Sequence, residues 1–242
     1  MAKRVTKKNT RSRKTSARQN PLRRVLRFLT RAIFVLALGV LGLIALGSVV
    51  NPLTTPYMFA QSRALGGVSQ DWVDLDDVSP VMARAVVAAE DANFCTHWGF
   101  DLPAIKQAIE DGGTRGASTL SQQTVKNVYL WHGRNYTRKA MEALLTPVLE
   151  AVWSKRRIVE VYLNVAEFDK GVFGVKAAAR HYFGVSPDQL SAVQAARLAA
   201  ILPDPKGRSA SKPSAFVQKR ARAILSGAAT ISKDGRAACF ES

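Results

Sequence analysis

The longest uninterrupted run of apolar residues lies near the N-terminus of the chain. Residues 32–50 read AIFVLALGVLGLIALGSVV and contain no charged side chain. A helix of this length, with a rise of about 1.5 Å per residue, just spans a hydrocarbon core of roughly 30 Å. A cleaved signal peptide is the alternative, but its apolar region is usually about 7–15 residues long and precedes a small-x-small site. Residues 51–56 (NPLTTP) offer no such site, so the pattern predicts an uncleaved transmembrane anchor.

Beyond the anchor, apolar positions recur mainly at helical spacing. In residues 81–89 they fall at 81, 82, 85, 86 and 89, which gives one buried face of a helix. Further helices are predicted at 102–109, at 119–130 with Thr119 and Gln122 in a capping box, at 138–165 with a break or kink at Pro147, at 186–202, and at 217–225. Since no alternating run is long enough to indicate a substantial sheet, the pattern predicts a mainly α-helical domain over residues 80–242.

The segments outside these helices differ in composition. Residues 51–79 contain two early prolines, a Gly-Gly pair and four aspartates, and they are predicted to connect the anchor to the helical domain. Residues 111–116 (DGGTRG) contain three glycines and are the best candidate for a mobile loop. The predicted order is therefore a basic tail at 1–31, the anchor at 32–50, the connecting segment and the helical domain.

The net charge of +17 is concentrated at the N-terminus. Residues 1–31 hold twelve of the 35 Lys and Arg residues and no acidic residue. Such a run is typical of a solvated, disordered tail, and nucleic acid would be the simplest partner for it. Here it flanks the predicted anchor, so the positive-inside rule places it in the cytoplasm and the residues after 50 across the membrane. The charge therefore indicates a membrane protein, and we do not expect nucleic acid as a partner.

Glu90 lies where the helix at 81–89 ends and the polar segment 90–101 (EDANFCTHWGFD) begins. The C-terminal end of a helix disfavours negative charge. Partial burial beside Phe94 and Trp98 would raise the pKa of this carboxyl further, toward the range useful for proton transfer near neutral pH. Taken alone, Glu90 is also consistent with a surface glutamate that closes a helix.

A polar stripe is predicted on the helix that starts near residue 120. In residues 116–127 (GASTLSQQTVKN), Gln122 and Lys126 lie four positions apart, as do Gln123 and Asn127. Amides and hydroxyls suit sugar hydroxyls, whereas the Lys126 ammonium suits a phosphate. A solvated helix face is the simpler interpretation of the same pattern.

A charged pattern follows in residues 138–142 (RKAME), where Glu142 stands four and three positions after two cations. The simpler interpretation is a surface ion pair worth well under about 1 kcal/mol. Further along, Lys155 precedes the run VYLN at 161–164, in a helical stretch whose apolar positions mostly serve the core.

Taken in order, these motifs resemble the peptidoglycan glycosyltransferase domain, which class A penicillin-binding proteins and monofunctional biosynthetic peptidoglycan transglycosylases share. The matching segments are 90–101, 116–127, 138–142 and 155–164, with a further likeness at 171–184 (GVFGVKAAARHYFG). Four ordered motifs make a specific signal, whereas any one alone would be weak. A penicillin-binding protein would add a transpeptidase domain with Ser-x-x-Lys and a later Lys-Thr-Gly. Residues 209–212 (SASK) match the first element but no Lys-Thr-Gly follows, so the monofunctional enzyme is expected.

The resemblance implies an all-α, bilobed, lysozyme-like domain that polymerises lipid II into β-1,4-linked glycan outside the inner membrane, with release of undecaprenyl diphosphate. It implies Glu90 and Glu142 as catalytic residues. It assigns substrate binding to Asp91, His97, Ser118, Gln122, Gln123, Lys126, Asn127, Arg138 and Lys139. No metal site built from side chains is expected, because a divalent cation such as Mg²⁺ or Mn²⁺ would bind mainly through the substrate diphosphate.

The implied partners are lipid II, the growing glycan strand and the membrane, with divisome or elongation-complex proteins as candidates. Two other functions stay open from the sequence. A membrane-bound lytic transglycosylase or lysozyme-like hydrolase would share the single-glutamate chemistry, but it would not need Lys126, Arg138 and Lys139 for a diphosphate. A non-catalytic membrane scaffold would use the basic tail to bind anionic lipid or a cytoplasmic partner.

Cys95 and Cys239 are the two cysteines of the chain, and both lie on the predicted exported side. They cannot make a structural zinc site, which needs four ligands, because the three histidines are scattered. An oxidising compartment permits a disulfide. We therefore predict a Cys95–Cys239 bridge that pins the C-terminal tail beside the turn after Glu90. Two unpaired thiols, one of them partly buried, are the alternative.

Overall fold

The computed structural model describes residues 21–112, 116–133 and 135–241, in two units divided between Gly42 and Leu43. Among the described residues, one helix, α1 (Pro21–Gly47), is long and apolar enough to cross a membrane. The helix starts earlier than the predicted anchor because apolar residues at 22, 25, 26, 28 and 29 continue its helical pattern. The expectation of a disordered tail is therefore wrong for residues 21–31, and residues 1–20 lie outside the described part.

The second unit consists mainly of helices, which confirms the predicted fold class. They are α2 (Pro56–Leu65), α3 (Pro80–Glu90), α4 (Leu102–Glu110), α5 (Leu120–Tyr129), α6 (Tyr136–Val152), α7 (Lys155–Val165), α8 (Val175–Phe183), α9 (Ala192–Ile201), α10 (Ala215–Lys233) and α11 (Ala238–Glu241). Short 3₁₀ turns lie at Leu75–Asp77, Phe94–Thr96 and Pro187–Gln189. The described strands, β1 (Ser69–Gln70), β2 (Glu167–Asp169) and β3 (Val172–Phe173), form one small sheet in the order β1-β3-β2, with β1 parallel and β2 antiparallel to β3.

Two groups of helices meet at the C-terminal end of α3. Helices α3, α9 and α10 pack against one another, and α5 packs against α6 and α7. Small residues allow the first group to come close, since a Cβ at Gly227 of α10 would lie 3.4 Å from the Cβ of Ala88 on α3. The final residue of α3 therefore lies within reach of both α5 and α10.

The segment predicted to connect the anchor and the helical domain is itself ordered. It contains α2, whose cap is the side chain of Thr55, accepting the backbone N–H of Met58 at 3.2 Å. It also contains β1, which pairs with β3. The sequence has no amphipathic pattern long enough to predict these short elements. β1, for example, is ordered by its pairing with β3, about 100 residues further along the chain.

Of the break or kink predicted at Pro147, the break is wrong, because α6 runs through this residue to Val152. The break lies at Trp153 and Ser154 instead. Ser154 caps α7 by accepting the backbone N–H of Arg157 at 3.1 Å, so a new helix starts there. The proline removes one intrahelical hydrogen bond, and the buried packing of α6 outweighs that loss.

Two other helix boundaries also differ from the prediction. Residues 186–202 form a 3₁₀ turn followed by α9, rather than one helix. A second capping box explains the late start, since Ser191 accepts the backbone N–H of Gln194 while the Gln194 side chain accepts that of Ser191. The helix predicted at 217–225 lies mostly in the N-terminal half of the longer α10.

The last turn of α1 is joined to α7 and to Trp153, the residue that follows α6. The indole N–H of Trp153 donates to the carbonyl of Ile44 at 2.7 Å. Arg157 donates to the carbonyls of Gly47, at 3.1 and 3.2 Å, and of Val50, at 3.0 Å. These donors satisfy backbone carbonyls that a helix end otherwise leaves unpaired.

Candidate active site

Glu90 is the last residue of α3, as predicted, and its side chain is only 13% exposed. Its Oε2 accepts a hydrogen bond from Nε2 of Gln123 at 2.9 Å, whereas its Oε1 is buried and accepts none from the described residues. Nη2 of Arg220, on α10, lies 3.6 Å from that Oε1. Burial raises the pKa of Glu90, although Gln123 and the charges of Arg220 and Lys126 oppose the rise. One carboxylate oxygen is therefore fixed, and the other is left for a proton.

Tyr162 on α7 fixes the orientation of Gln123. Its hydroxyl donates to Oε1 of Gln123 at 3.2 Å, so the amide nitrogen is directed toward Glu90. Burial, together with the charge of Glu90, raises the pKa of Tyr162 well above its ordinary value, so the hydroxyl keeps its proton. The predicted polar stripe included Gln123, but no sequence signal beyond the VYLN run pointed to Tyr162.

Asp91 joins the end of α3 to the start of α5. Its Oδ2 accepts the backbone N–H of Leu120, the first residue of α5, at 2.9 Å, and its Oδ1 lies 2.8 Å from Nε2 of His97. A negative charge is favourable at the N-terminal end of a helix. Asp91 and His97 thus organise the turn after Glu90, and their contact with substrate stays a prediction.

Steric constraints explain why a glycine, Gly99, stands in this turn. Gly99 has a φ of 84°, and a Cβ there would lie 2.8 Å from Cγ2 of Thr146 on α6. Its carbonyl accepts a hydrogen bond from the Thr119 hydroxyl at 2.7 Å. Thr119 and Gln122 also form the predicted capping box of α5. The Gln122 side chain is therefore buried and engaged by the cap, and its predicted contact with substrate is untested.

Lys126 stands on α5, one helical turn after Gln123. None of the hydrogen bonds and ion pairs among the described residues engages its ammonium group. Burial lowers the pKa of Lys126, and Arg138 and Lys139 act in the same direction, while Glu142 and Glu90 oppose it. The side chain thus lies in the field of both glutamates and remains open to an external anion.

Glu142 is buried and holds both cations that precede it on α6. Nη1 of Arg138 donates to Oε2 of Glu142 at 2.6 Å, and Nζ of Lys139 pairs with Oε1. Lys139 also donates to the hydroxyl of Ser118 at 2.9 Å. Because Glu142 is only 2% exposed, the simple surface ion pair is excluded. Lys126, Arg138 and Lys139 form what we call the cation cluster.

A cavity of about 290 Å³ opens beside Gln123, Lys126 and Tyr162. Asn127 lines it, with its Oδ1 3.1 Å from Nε2 of His132. The ring of His132 stacks on Tyr57, with ring centroids 3.6 Å apart. Burial and nearby cations lower the pKa of His132 to about 4, so its imidazole is neutral at pH 7. The cavity combines amide and aromatic groups next to the cation cluster, which suits a sugar that carries a phosphate.

A buried network supports the turn from behind, and of its members only Glu150 lies outside the motif segments. Nζ of Lys155 donates to the carbonyl of His97 and to Oε1 of Glu150, both at 2.8 Å. It also lies 4.2 Å from the centroid of the Phe94 ring. The hydroxyl of Ser121 donates to the same oxygen of Glu150. Lys155 is the first residue of the 155–164 motif, and Glu150 precedes that motif by five residues.

The predicted disulfide joins Cys95 and Cys239, with 5.6 Å between their Cα atoms. Cys95 belongs to the 3₁₀ turn after Glu90, and Cys239 to α11. Nη1 of Arg236 also donates to the carbonyl of Ala92 at 3.2 Å. The C-terminal tail is therefore pinned beside the turn, as the sequence predicted.

Two further expectations concern the loop and a metal. The loop predicted to be mobile, 111–116, includes residues 113–115, which lie outside the described part of the chain. Among the residues that the structure does describe, no group of three His, Cys, Asp or Glu side chains could hold a metal ion.

A family model described as Transglycosylase matches residues 59–229, which is more than half of the chain. The chain belongs to the transglycosylase family. The match of this transglycosylase to its family begins inside the segment predicted to be connecting, and it covers Glu90, the cation cluster, Glu142 and Tyr162.

Relatives of this transglycosylase bear the name biosynthetic peptidoglycan transglycosylase. One from Jannaschia sp. (strain CCS1) is 55% identical over 241 residues, which cover 99% of each chain. One from Caulobacter vibrioides is 44% identical over 223 residues, covering 90% of this chain and 97% of the relative. One from Pseudomonas putida (strain W619) is 48% identical over 207 residues, covering 81% and 88%.

Proposed function

We propose that this chain is a peptidoglycan glycosyltransferase that polymerises lipid II into β-1,4-linked glycan strands for cell wall synthesis. The observation that carries the proposal is that a buried glutamate, with one oxygen that accepts no hydrogen bond from the described residues, lies in the field of the unpaired ammonium of Lys126. The family and the names of the relatives support the same reaction class. A base and an anion-binding group side by side suit displacement of a diphosphate by a hydroxyl.

Glu90 acts as the general base in this proposal. Oε1 takes the proton of the acceptor 4-hydroxyl while the hydroxyl oxygen attacks the anomeric carbon of the growing glycan. The new glycosidic C–O bond forms, the bond from that carbon to the diphosphate oxygen breaks, and the anomeric centre inverts. Burial, which raises the pKa of Glu90, makes its carboxylate a stronger base than an exposed glutamate.

The cation cluster stabilises the leaving group. Negative charge grows on the diphosphate oxygens as the glycosidic bond breaks, and fixed cations in a partly buried site act strongly on such charge. Glu142 orients Arg138 and Lys139 through the two ion pairs described above. Undecaprenyl diphosphate is the leaving group in this reaction.

A divalent cation, Mg²⁺ or Mn²⁺, would be held mainly by diphosphate oxygens. Both oxygens of Glu142 are engaged by Arg138 and Lys139, so this carboxylate is poorly placed to be its main ligand. Such an ion supplies additional charge neutralisation at the diphosphate when it is bound.

The same proposal places the enzyme in the inner membrane as a single-pass protein, with a cytoplasmic N-terminus and a periplasmic catalytic unit. The apolar length of α1 and the basic residues that precede it support this topology. A disulfide is also typical of an oxidising compartment. Lipid II, the growing strand and the membrane are then the partners, and divisome or elongation-complex proteins are candidates.

The test uses purified full-length protein in detergent with fluorescent lipid II, and gel separation of the products. We expect long glycan that lysozyme digests to small fragments, and no product from Glu90→Gln. Isolated sacculi in a parallel assay should release no soluble fragments. Release of such fragments without polymerisation would instead identify a lytic enzyme, and inactivity in both assays a scaffold.

A further inference from the structure

Two buried polar atoms without hydrogen-bond partners among the described residues belong to side chains that approach each other near the end of α3. One is Oε1 of Glu90, and the other is Nε of Arg220. Nη2 of the same guanidinium lies 3.6 Å from Oε1, beyond hydrogen-bond range but within that of an ion pair. A buried polar atom left unpaired is costly, so such a pair in one place calls for an explanation.

Arg220 reaches Glu90 from an element that the sequence motifs do not include. It lies on α10, which packs against α3 through close contacts such as that between Gly227 and Ala88. Its side chain is 32% exposed, so it lies at the rim of the site rather than in the core. Arg220 lies outside the motif segments 90–101, 116–127, 138–142 and 155–164.

The groups near Glu90 come from three helices and from the residue that follows it. Asp91 follows it on the chain, Gln123 and Lys126 lie on α5, Tyr162 lies on α7, and Arg220 lies on α10. Gln123 donates a hydrogen bond to Oε2 of Glu90. The ammonium of Lys126 interacts electrostatically with both Glu90 and Glu142. Of these groups, Arg220 is the cation that the structure places within ion-pair distance of Oε1.

We propose that Arg220 is a positioning residue for the catalytic base: it orients Oε1 of Glu90 and favours the ionised carboxylate, without contacting the sugar. This inference rests on the proposed function of Glu90 as the base. The distance of 3.6 Å matters, because a tight charge-assisted hydrogen bond would use one of the two lone pairs of Oε1 and make that oxygen a weaker base. A cation just outside that range stabilises the charge and leaves the oxygen free.

The proposed role of Arg220 also differs from that of the cation cluster. Lys126, Arg138 and Lys139 act on the diphosphate, which leaves the donor. Arg220 acts on the base, on the acceptor side of the reaction. Its loss should therefore change the pH at which Glu90 is ionised, whereas the apparent affinity for lipid II should stay close to that of the wild type.

The experiment compares wild type with Arg220→Gln, Arg220→Lys and Arg222→Gln, all as full-length protein in detergent. Arg222 is exposed on the same helix and serves as the matched control. Removing a cation near a carboxylate raises the pKa of that carboxylate, and a base works only when ionised. In Arg220→Gln the acidic limb of the kcat profile should move to higher pH, with kcat falling roughly threefold or more on that limb. Arg220→Lys should restore most of the loss, and Arg222→Gln should match the wild type.

A second measurement does not depend on turnover. Carbon-13 NMR can follow the Glu90 carboxyl through a pH titration, with its signal assigned by its absence in Glu90→Gln. The Glu90 signal should titrate at higher pH in Arg220→Gln than in the wild type. An unmoved titration, or an equal fall of kcat at every pH, would overturn the proposal. Absence of polymer from the wild type would instead contradict the proposed function, while the titration would still report on Arg220.

Discussion

The carbonyl oxygen of His97 accepts a hydrogen bond from Nζ of Lys155 at 2.8 Å. The same ammonium pairs with Glu150, so a single charge joins the turn after Glu90 to both α6 and α7. Glu150 is buried and also accepts the hydroxyl of Ser121. The turn that carries Asp91 and His97 is thus held from behind by a group that need not contact the substrate.

We expect Lys155→Met to destabilise the protein strongly. Removal of one partner leaves the charge of Glu150 buried, which typically costs about 3–5 kcal/mol. Thermal unfolding with and without a second change, Glu150→Gln, measures this cost. The double variant should recover part of the lost stability, because the unpaired charge is gone. A single variant as stable as the wild type would contradict this prediction.

Glu90→Gln should abolish polymerisation and leave the fold intact. The amide keeps the shape of the side chain but cannot accept the proton. Since the site raises the pKa of Glu90, its ionised form works against folding above the pKa of an unfolded glutamate. The variant should therefore unfold at a temperature no lower than the wild type at pH 7, and any gain should vanish at low pH. Turnover near that of the wild type would exclude Glu90 as the base.

Lys126→Ala should reduce polymerisation by orders of magnitude, because it removes the open cation beside the diphosphate. Binding of a neutral fragment that has the sugars but no diphosphate should change little. Lys219→Ala, at an exposed position of α10, controls for the loss of one positive charge. Equal losses of affinity for lipid II and for the neutral fragment would show that Lys126 is structural.

Tyr162→Phe should lower kcat about tenfold, while the KM for lipid II changes little. The change leaves the Gln123 side-chain carbonyl without its donor, a loss worth about 1–3 kcal/mol, and frees the amide to turn away from Glu90. Tyr182→Phe is the control, because the Tyr182 hydroxyl donates to the carbonyl of Phe168 on the small sheet. Similar unfolding temperatures with different kcat values would separate positioning from general stability.

The disulfide should be found in protein exported to the periplasm. Mass spectrometry without reductant should show both cysteines protected from alkylation, and Cys239→Ser should lower the free energy of unfolding by about 2–5 kcal/mol. Hydrogen exchange of the amides at 91–97 should accelerate in that variant, since α11 no longer holds the turn. Free alkylation of both residues without reductant would exclude the bridge in the exported protein.

The features that sequence patterns predicted well are local ones. The face of α3, the capping box of Thr119 and Gln122, and the spacing of Glu142 from two cations all follow from a few neighbouring residues. The rest depends on distant contacts. Pro147 is tolerated because buried packing supports α6, and β1 forms because β3 lies beside it. Tyr162 and Arg220 are important because of their contacts with Gln123 and Glu90. Those partners are distant in the sequence, so residue spacing could not predict the contacts.

The boundary between the long apolar helix and the enzyme does not lie where hydropathy suggests. A chain shortened to start at Asn51 would lose the carbonyls of Ile44, Gly47 and Val50, and would leave the Trp153 indole and the Arg157 guanidinium without these acceptors. A chain that starts at Leu43 would keep them, yet it would present exposed leucines at 43 and 46 to water. Solubility in water thus favours removing residues 43–50, whereas the hydrogen bonds to Trp153 and Arg157 favour keeping them. Detergent or lipid allows these residues to be kept while covering the exposed leucines.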